Sequence, residues 1–257
     1  WQFSTHFGTI NTGSVPWEDA MCITDLENNG VYDVVIGCAG GNEMIYALDG
    51  QTGARKWAYG DSTTTNDGDV ESVNANYDFN GDGIKDIIAS LSGTTTGGRH
   101  AIVCLNATNG AVIFYTTQTQ PFTDDAIGTE SGCAIGVSNN GTPYGVNGFT
   151  TNGGFAWSYG APGAIWSLKE FPDINNDGGK DILGLCGFSG SIVAITGNAG
   201  AQIWATTLGS SNNGKIQILD DADNNGFADF SLSAPQVAYR IDSKTMNVIW
   251  SKHFGSC

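Results

Sequence analysis

Four nine-residue stretches repeat one arrangement of oxygen-bearing side chains: DLENNGVYD (25–33), DFNGDGIKD (78–86), DINNDGGKD (173–181) and DADNNGFAD (221–229). Each carries such residues at positions 1, 3, 5 and 9, with glycine at position 6. The sets are Asp25, Glu27, Asn29 and Asp33; Asp78, Asn80, Asp82 and Asp86; Asp173, Asn175, Asp177 and Asp181; and Asp221, Asp223, Asn225 and Asp229. Calcium is a hard cation that takes six to eight oxygens, and alternate side chains of a tight loop converge on one point. The carbonyl at position 7 (Val31, Ile84, Gly179 and Phe227) is the expected extra ligand. One copy would read equally well as an Asx-rich turn. Four copies at one place in a repeat point to calcium, up to four ions. The loops hold twelve of the 26 acidic residues, so four ions would halve the formal charge of −16. The metal is expected to relieve repulsion that otherwise opposes folding.

Other chemistry is sparse. His6, His100 and His253 are scattered, and no nucleophile elbow, zinc-protease helix or phosphate loop is present. Paired carboxylates for glycoside cleavage have many possible members, but no base for a lyase stands out. No catalytic residue is therefore expected, and the chain reads as a non-enzyme. The six cysteines lack paired CxxC spacing, and an even number permits disulfides. Cys22 and Cys38 flank the first loop and are the candidate cross-strand pair, while Cys257 could bridge within or between chains. Asn106 and Asn140 head glycosylation sequons.

The elements that must position the loops are short strands. Glycine is abundant, at 37 residues, and no long stretch has a helical period. A phrase of apolar strand, turn and large aromatic recurs as IYALDGQTGARKW, IVCLNATNGAVIF, VNGFTTNGGFAW, IVAITGNAGAQIW and YRIDSKTMNVIW. Its aromatics fall about 50 residues apart, within the range of propeller blades. Two strand-like runs precede each phrase, so a module has strands A to D with the aromatic on D. Such a sheet cannot bury both faces alone, and radial stacking gives an all-β propeller of about five four-stranded blades. A sandwich or solenoid suits so long a period poorly. The modules run approximately 9–60, 61–119, 120–160, 161–209 and 210–257. The glycine before the aromatic suits a C–D turn with positive φ. The third module has no metal loop, so its A and B strands should meet in a plain hairpin.

The loops are the DxNxDGxxD motif, and Asp78 to Asp86 and Asp173 to Asp181 match it throughout. In this the chain resembles the FG-GAP/VCBS family of calcium-loop propeller repeats, which also build integrin α-subunit propellers. ALDGQTGARKW looks like the repeat of quinoprotein propellers as well. The resemblance implies the fold and the metal; these propellers serve adhesion, carbohydrate binding, scaffolding and catalysis alike. Quinoprotein dehydrogenases are expected to carry adjacent cysteines, which this chain lacks, so that activity is set aside. Glu27 departs from the motif and should loosen the first site.

Residues 1–8, WQFSTHFG, add a D-like strand beyond the five modules and echo WSKHFG at 250–255, with Phe3 over Trp250. Exposed, it would be costly. It should close the ring or complement a neighbouring subunit, with Trp1, Phe3 and Phe7 as the assembly residues. The expected role is an extracellular, secreted structural or adhesive module that associates with itself, as homo-oligomer or filament, or with an extracellular partner. The alternative is a glycan-binding propeller or a polysaccharide lyase, with Trp17, Tyr144 and Tyr159 as sugar-stacking candidates. The acidic balance disfavours nucleic acid, no segment is long and apolar enough to span a bilayer, and a start on Trp1 fits a processed or excised chain.

Overall fold

A computed structural model of the chain describes residues 2–4, 9–10, 20–40, 43–60, 68–94, 97–139, 142–187, 189–207, 214–234 and 237–254. Trp1, His6, Phe7, Trp17, Asn140 and Cys257 lie outside them. Among the described residues there are strands and no helix, hence none long and apolar enough to cross a membrane.

Five antiparallel sheets follow one another along the chain. The first holds β1 (Thr9–Ile10), β2 (Met21–Thr24), β3 (Asp33–Ala39), β4 (Ile45–Leu48) and β5 (Arg55–Tyr59). β2 pairs with β3 near the Asp25–Asp33 loop and β1 with its far end, so together they stand for one split first strand. The second sheet is β6 (Val70–Tyr77), β7 (Asp86–Thr94), β8 (Gly97–Leu105) and β9 (Val112–Thr117). The third is β10 (Phe122–Thr129), β11 (Gly132–Ser138), β12 (Tyr144–Phe149) and β13 (Phe155–Ala161). The fourth is β14 (Ile165–Phe171), β15 (Asp181–Cys186), β16 (Ser191–Thr196) and β17 (Gln202–Thr207). The fifth is β18 (Ile216–Leu219), β19 (Asp229–Ala234), β20 (Val237–Asp242) and β21 (Val248–His253). β10 and β11 meet at Glu130–Ser131 with no intervening loop, the plain hairpin expected of the third module.

Burial explains the sequence texture. Middle strands such as β11, β15 and β16 are buried along their whole length, because a neighbouring sheet covers each face. The last strands, such as β13 and β21, are largely exposed. One apolar cluster fills each junction. Val35, Ile45 and Trp57 meet Val73, Ile87 and Val103 between blades one and two. Ile88, Cys104 and Phe114 meet Ile135 and Phe149 between two and three. Ile127 and Val146 meet Ile165, Ile182 and Val193 between three and four. Leu183, Leu185 and Ile192 meet Ile216, Phe230 and Ile241 between four and five. A further cluster, Ile36, Cys38, Met44, Tyr46 and Leu48, lies on the other face of blade one. Among the described residues no cluster joins blade five to blade one.

The C–D turn glycines predicted to need positive φ are Gly53, Gly110, Gly153 and Gly200, with φ between 63° and 79°. Gly110, Gly153 and Gly200 also receive the aromatic of the preceding blade. A methyl group added at Gly110, Gly153 or Gly200 would stand 2.8, 2.7 or 2.3 Å from the rings of Trp57, Phe114 and Trp157 respectively. In blade five the position is Met246, also at positive φ (61°) and packed into the cluster that contains Trp204.

The innermost strands of blades two to four are tied by side chains. The Asn76 amide donates to Gly128 O (2.6 Å) and accepts from Gly128 N–H (3.0 Å). Asn74 donates to Ala126 O (2.6 Å), and Asp125 accepts from Leu168 N–H (2.8 Å). Asp124 accepts from Ile165 N–H at 3.2 Å. Desolvation pushes the Asp124 carboxyl up to about 7, against the Ile165 hydrogen bond and with help from the Asp125 charge. Its folded pKa thus lies above the ordinary value near 3.9, so this group costs stability progressively as pH rises through that window and fully above it. Asp124→Asn is therefore expected to melt higher than the wild type at about pH 8, with the gain shrinking toward about pH 5. Melting curves across that range check it.

Two expectations need correction. Cys22 and Cys38 are not a disulfide: Cys22 stands opposite Val35 and Cys38 opposite Ile10. Cys22 packs toward blade two, whereas Cys38 belongs to the cluster on the opposite face. Neither is in a disulfide, and nor are Cys104, Cys133 and Cys186. Nor do residues 2–4 form a strand. Phe3 lies edge-on to Tyr46 (centroids 5.1 Å apart, 62°), over the face of blade one turned away from blade two.

Candidate metal loops

The four loops are built by one hydrogen-bond scheme. The position-1 carboxylate accepts the position-6 glycine N–H: Gly30 to Asp25 and Gly83 to Asp78 at 2.7 Å, Gly178 to Asp173 and Gly226 to Asp221 at 2.8 Å. The position-5 side chain accepts the position-7 N–H: Val31 to Asn29 at 2.8 Å, and Ile84 to Asp82, Gly179 to Asp177 and Phe227 to Asn225 at 2.9 Å. The position-9 aspartate, first residue of the next strand, accepts the position-2 N–H: Leu26 to Asp33, Phe79 to Asp86, Ile174 to Asp181 and Ala222 to Asp229. Positions 4 and 6 take positive φ in every loop: Asn28 and Gly30, Gly81 and Gly83, Asn176 and Gly178, Asn224 and Gly226. Glycine and asparagine accept that geometry at low cost. Each loop's oxygens are thus gathered around its own backbone.

The electrostatics distinguish the loops. In the third, Asp181 Oδ1 is buried without a hydrogen-bond partner. Desolvation, together with the charges of Asp177 and Asp173, raises this carboxyl to about 6. The fourth loop has the same orphan, Asp229 Oδ1, but Arg240 holds the other oxygen at 2.9 Å. Asp242 joins it through Asn225 (2.9 Å). In the second, burial raises Asp86, while the Ile84 N–H, opposed by desolvation, leads the lowering of Asp82; Asn106 also donates to Asp82 (3.0 Å). In the first, the Lys56 ammonium lies 3.0 Å from Glu27 and 3.6 Å from both Asp33 and Asp49. Desolvation pulls Lys56 down, but these three carboxylates outweigh it and hold it above its ordinary value.

No group of three or more His, Cys, Asp or Glu among the described residues is arranged to hold an ion unaided. Asparagine and main-chain oxygens have to complete any ligand set. The orphaned oxygens of Asp181 and Asp229 fit a cation, because a buried carboxylate oxygen without donors is costly.

Beside the third loop, Tyr77, Glu170 and Lys180 meet across blade three. The Tyr77 hydroxyl donates to both Glu170 oxygens (2.9 Å), and Lys180 Nζ lies 3.0 Å from that hydroxyl and 3.2 Å from Glu170. Sequence reading found no such trio, since the residues lie far apart in the chain. Tyr77 is raised first by desolvation, and Lys180 is raised by its bond to Tyr77 and by Glu170. Neither is poised as a base near neutral pH, so the trio reads as a strap between blades two and four. Of the sugar-stacking candidates, Tyr144 and Tyr159 line one cavity of about 170 Å³ with Gln120, Pro143 and Asn147. Asn106 has its amide on Asp82 and its carbonyl on the Thr108 and Asn109 N–H groups.

No family model and no curated protein matches the chain. Solved structures do. The quinohemoprotein alcohol dehydrogenase of Comamonas testosteroni aligns with TM-score 0.63 and 13% identity over 92% of this chain. The V. cholerae biofilm matrix protein Bap1 aligns with TM-score 0.64 and 17% identity over 99%. BBS1N, solved in complex with ARL6DN, aligns with TM-score 0.64 and 12% identity over 91%. The chain spans 45% of the first, 42% of the second and 68% of the third. Identity this low speaks to fold alone, and with the five sheets it makes the chain a β-propeller of four-stranded blades.

Proposed function

We propose that the chain is a calcium-stabilised, extracellular propeller with a structural or adhesive role and no catalytic activity of its own. The observation that carries this reading is the orphaned, buried carboxylate oxygen of Asp181 and of Asp229, each closing a loop of one repeated design. Loops two, three and four take calcium, through Asp78, Asn80, Asp82 and Asp86, through Asp173, Asn175, Asp177 and Asp181, and through Asp221, Asp223, Asn225 and Asp229. The charge of loop one is met by Lys56. Lys56→Gln is accordingly expected to add one bound calcium, counted by native mass spectrometry.

The likeness to a biofilm matrix protein accords with a matrix role, as does the acidic, cation-favouring surface. Electron microscopy of purified protein in calcium and in EDTA tests the assembly. Filaments or oligomers that come apart in EDTA support the reading, and discrete particles under both conditions oppose it. The second reading, glycan binding, is favoured by Tyr144 and Tyr159 sharing one cavity with two amide side chains. A glycan array negative with and without calcium would eliminate it.

A further inference from the structure

An apolar cluster fills each of the four junctions, but hydrogen bonds tie them unequally. Between blades one and two the Trp57 indole donates to Ala107 O and Gly68 N–H to Glu43, both at 2.7 Å, and Arg99 donates to Glu43 O at 2.8 Å. Between two and three, Ala126 N–H donates to the Ser72 hydroxyl (2.8 Å) and Asn147 to Gln118 (3.0 Å). Between three and four, Leu168 N–H donates to Asp125 and the Tyr159 hydroxyl to Gln202, both at 2.8 Å.

Two of these links use positions that recur in blade four, and toward blade five neither is made. Trp204 stands on β17 as Trp57 stands on β5, each opposite an alanine (Ala194 and Ala47) next to a register shift. Its indole N–H is buried without a hydrogen-bond partner among the described residues. Ser167 sits at the inner-strand bulge where Ser72 and Asp125 receive the next blade's N–H. It is fully buried, and its hydroxyl has no partner either. The outer end shows a cause. A Cβ at Gly110 would stand 2.8 Å from the Trp57 ring, and blade five carries Met246 at that position. A side chain there keeps the indole from the seat that Trp57 takes, and Trp204 stacks on Phe230 (centroids 6.4 Å apart, 16°). Buried donors and acceptors left unmet weigh against the docked state.

The far side of blade five offers no compensation, since Val248, Ile249 and Trp250 are exposed on β21. Blade one, at the other end of the array, is better held. Its outer cluster is at most 9% exposed and carries Phe3 against Tyr46.

We infer that the junction of blades four and five is the seam at which this propeller opens. Blades one to four hold as one hydrogen-bonded body, and blade five peels away as a unit, with its own Asp-rich loop, ahead of global unfolding. Stacked repeats part where neighbours grip least. Opening uncovers the apolar face of blade four that carries Leu183, Leu185 and Ile192.

Hydrogen exchange of the full chain, dilute and in calcium, tests the seam without any substitution. The amides of β19 and β20 are expected to exchange together, about a hundredfold less protected than those of β7, β8, β11 and β15. Equal protection of blade five and blades two to four overturns the inference, and so does a first opening at blade one. Paired substitutions read the cause. Trp57→Phe removes a bond that is made, and is expected to lower the protection of β3 and β4 about tenfold. Trp204→Phe and Ser167→Ala remove groups that lack partners, and should leave β19 and β20 protected at least as well as in the wild type. A tenfold loss in either would mean that its bond across the junction is made, and the seam would fall.

Discussion

Saturating calcium is expected to raise the melting temperature by tens of degrees over EDTA, the largest effect any condition should have on this protein. A site filled at a hundred times its Kd adds roughly 2.7 kcal/mol to the folded state. Three such sites released in one transition add roughly 8 kcal/mol. At about 2–4 °C per kcal/mol for a domain near this size, the shift is on the order of 16–32 °C. Asp181→Ala should remove about one site's share, because Asp181 closes the loop on the first residue of β15 and is buried. In EDTA the same substitution should cost less, or even stabilise, since it also removes a buried carboxylate that lacks donors for one oxygen. Calorimetry of both proteins under both conditions checks the size and the change of sign. A wild-type melting temperature unmoved by calcium would sink the metal assignment.

The second large effect is Trp57→Ala, expected to cost about 3–5 kcal/mol, typical of truncating a buried aromatic. The indole fills the junction of blades one and two, and its loss leaves a cavity over Gly110 and a buried Ala107 carbonyl without its donor. Trp250→Ala, at the equivalent position, is expected to cost under about 1 kcal/mol in dilute protein, where no second blade covers it. Urea titrations of the two variants side by side measure the contrast. Equal losses would show that Trp250 is covered in the monomer.

The conformation of the four Asp-rich loops was legible in the sequence because it is local: nine residues supply the positive-φ positions and nearly every hydrogen bond that shapes the turn. The neutralising Lys56 was not, because it arrives from β5 of the same blade rather than from the loop. Strand phrases were equally readable, since alternating burial and turn glycines leave marks over a few residues. Where those phrases touch is a different matter. Trp57 and Gly110 each stand out within their own module, but their contact lies between modules. The Cys22–Cys38 pairing failed for a related reason. Distance from the loop suggested near-opposition, whereas the ladder runs Thr24 opposite Asp33 and so sets Cys22 against Val35. Tyr77, Glu170 and Lys180 had no local mark at all.

The backbone of Ala107 joins the two systems. Its N–H donates to Asp86, the last residue of the second Asp-rich loop, at 3.3 Å, and its carbonyl takes the indole N–H of Trp57 from the blade before. A tether drawn away at blade one therefore loads a residue whose N–H is anchored in the second Asp-rich loop. An ion that stiffens Asp86 also stiffens the hook on which Trp57 hangs. Under tension, a calcium bound there would then set the force at which blades one and two peel apart as well as the temperature at which they melt.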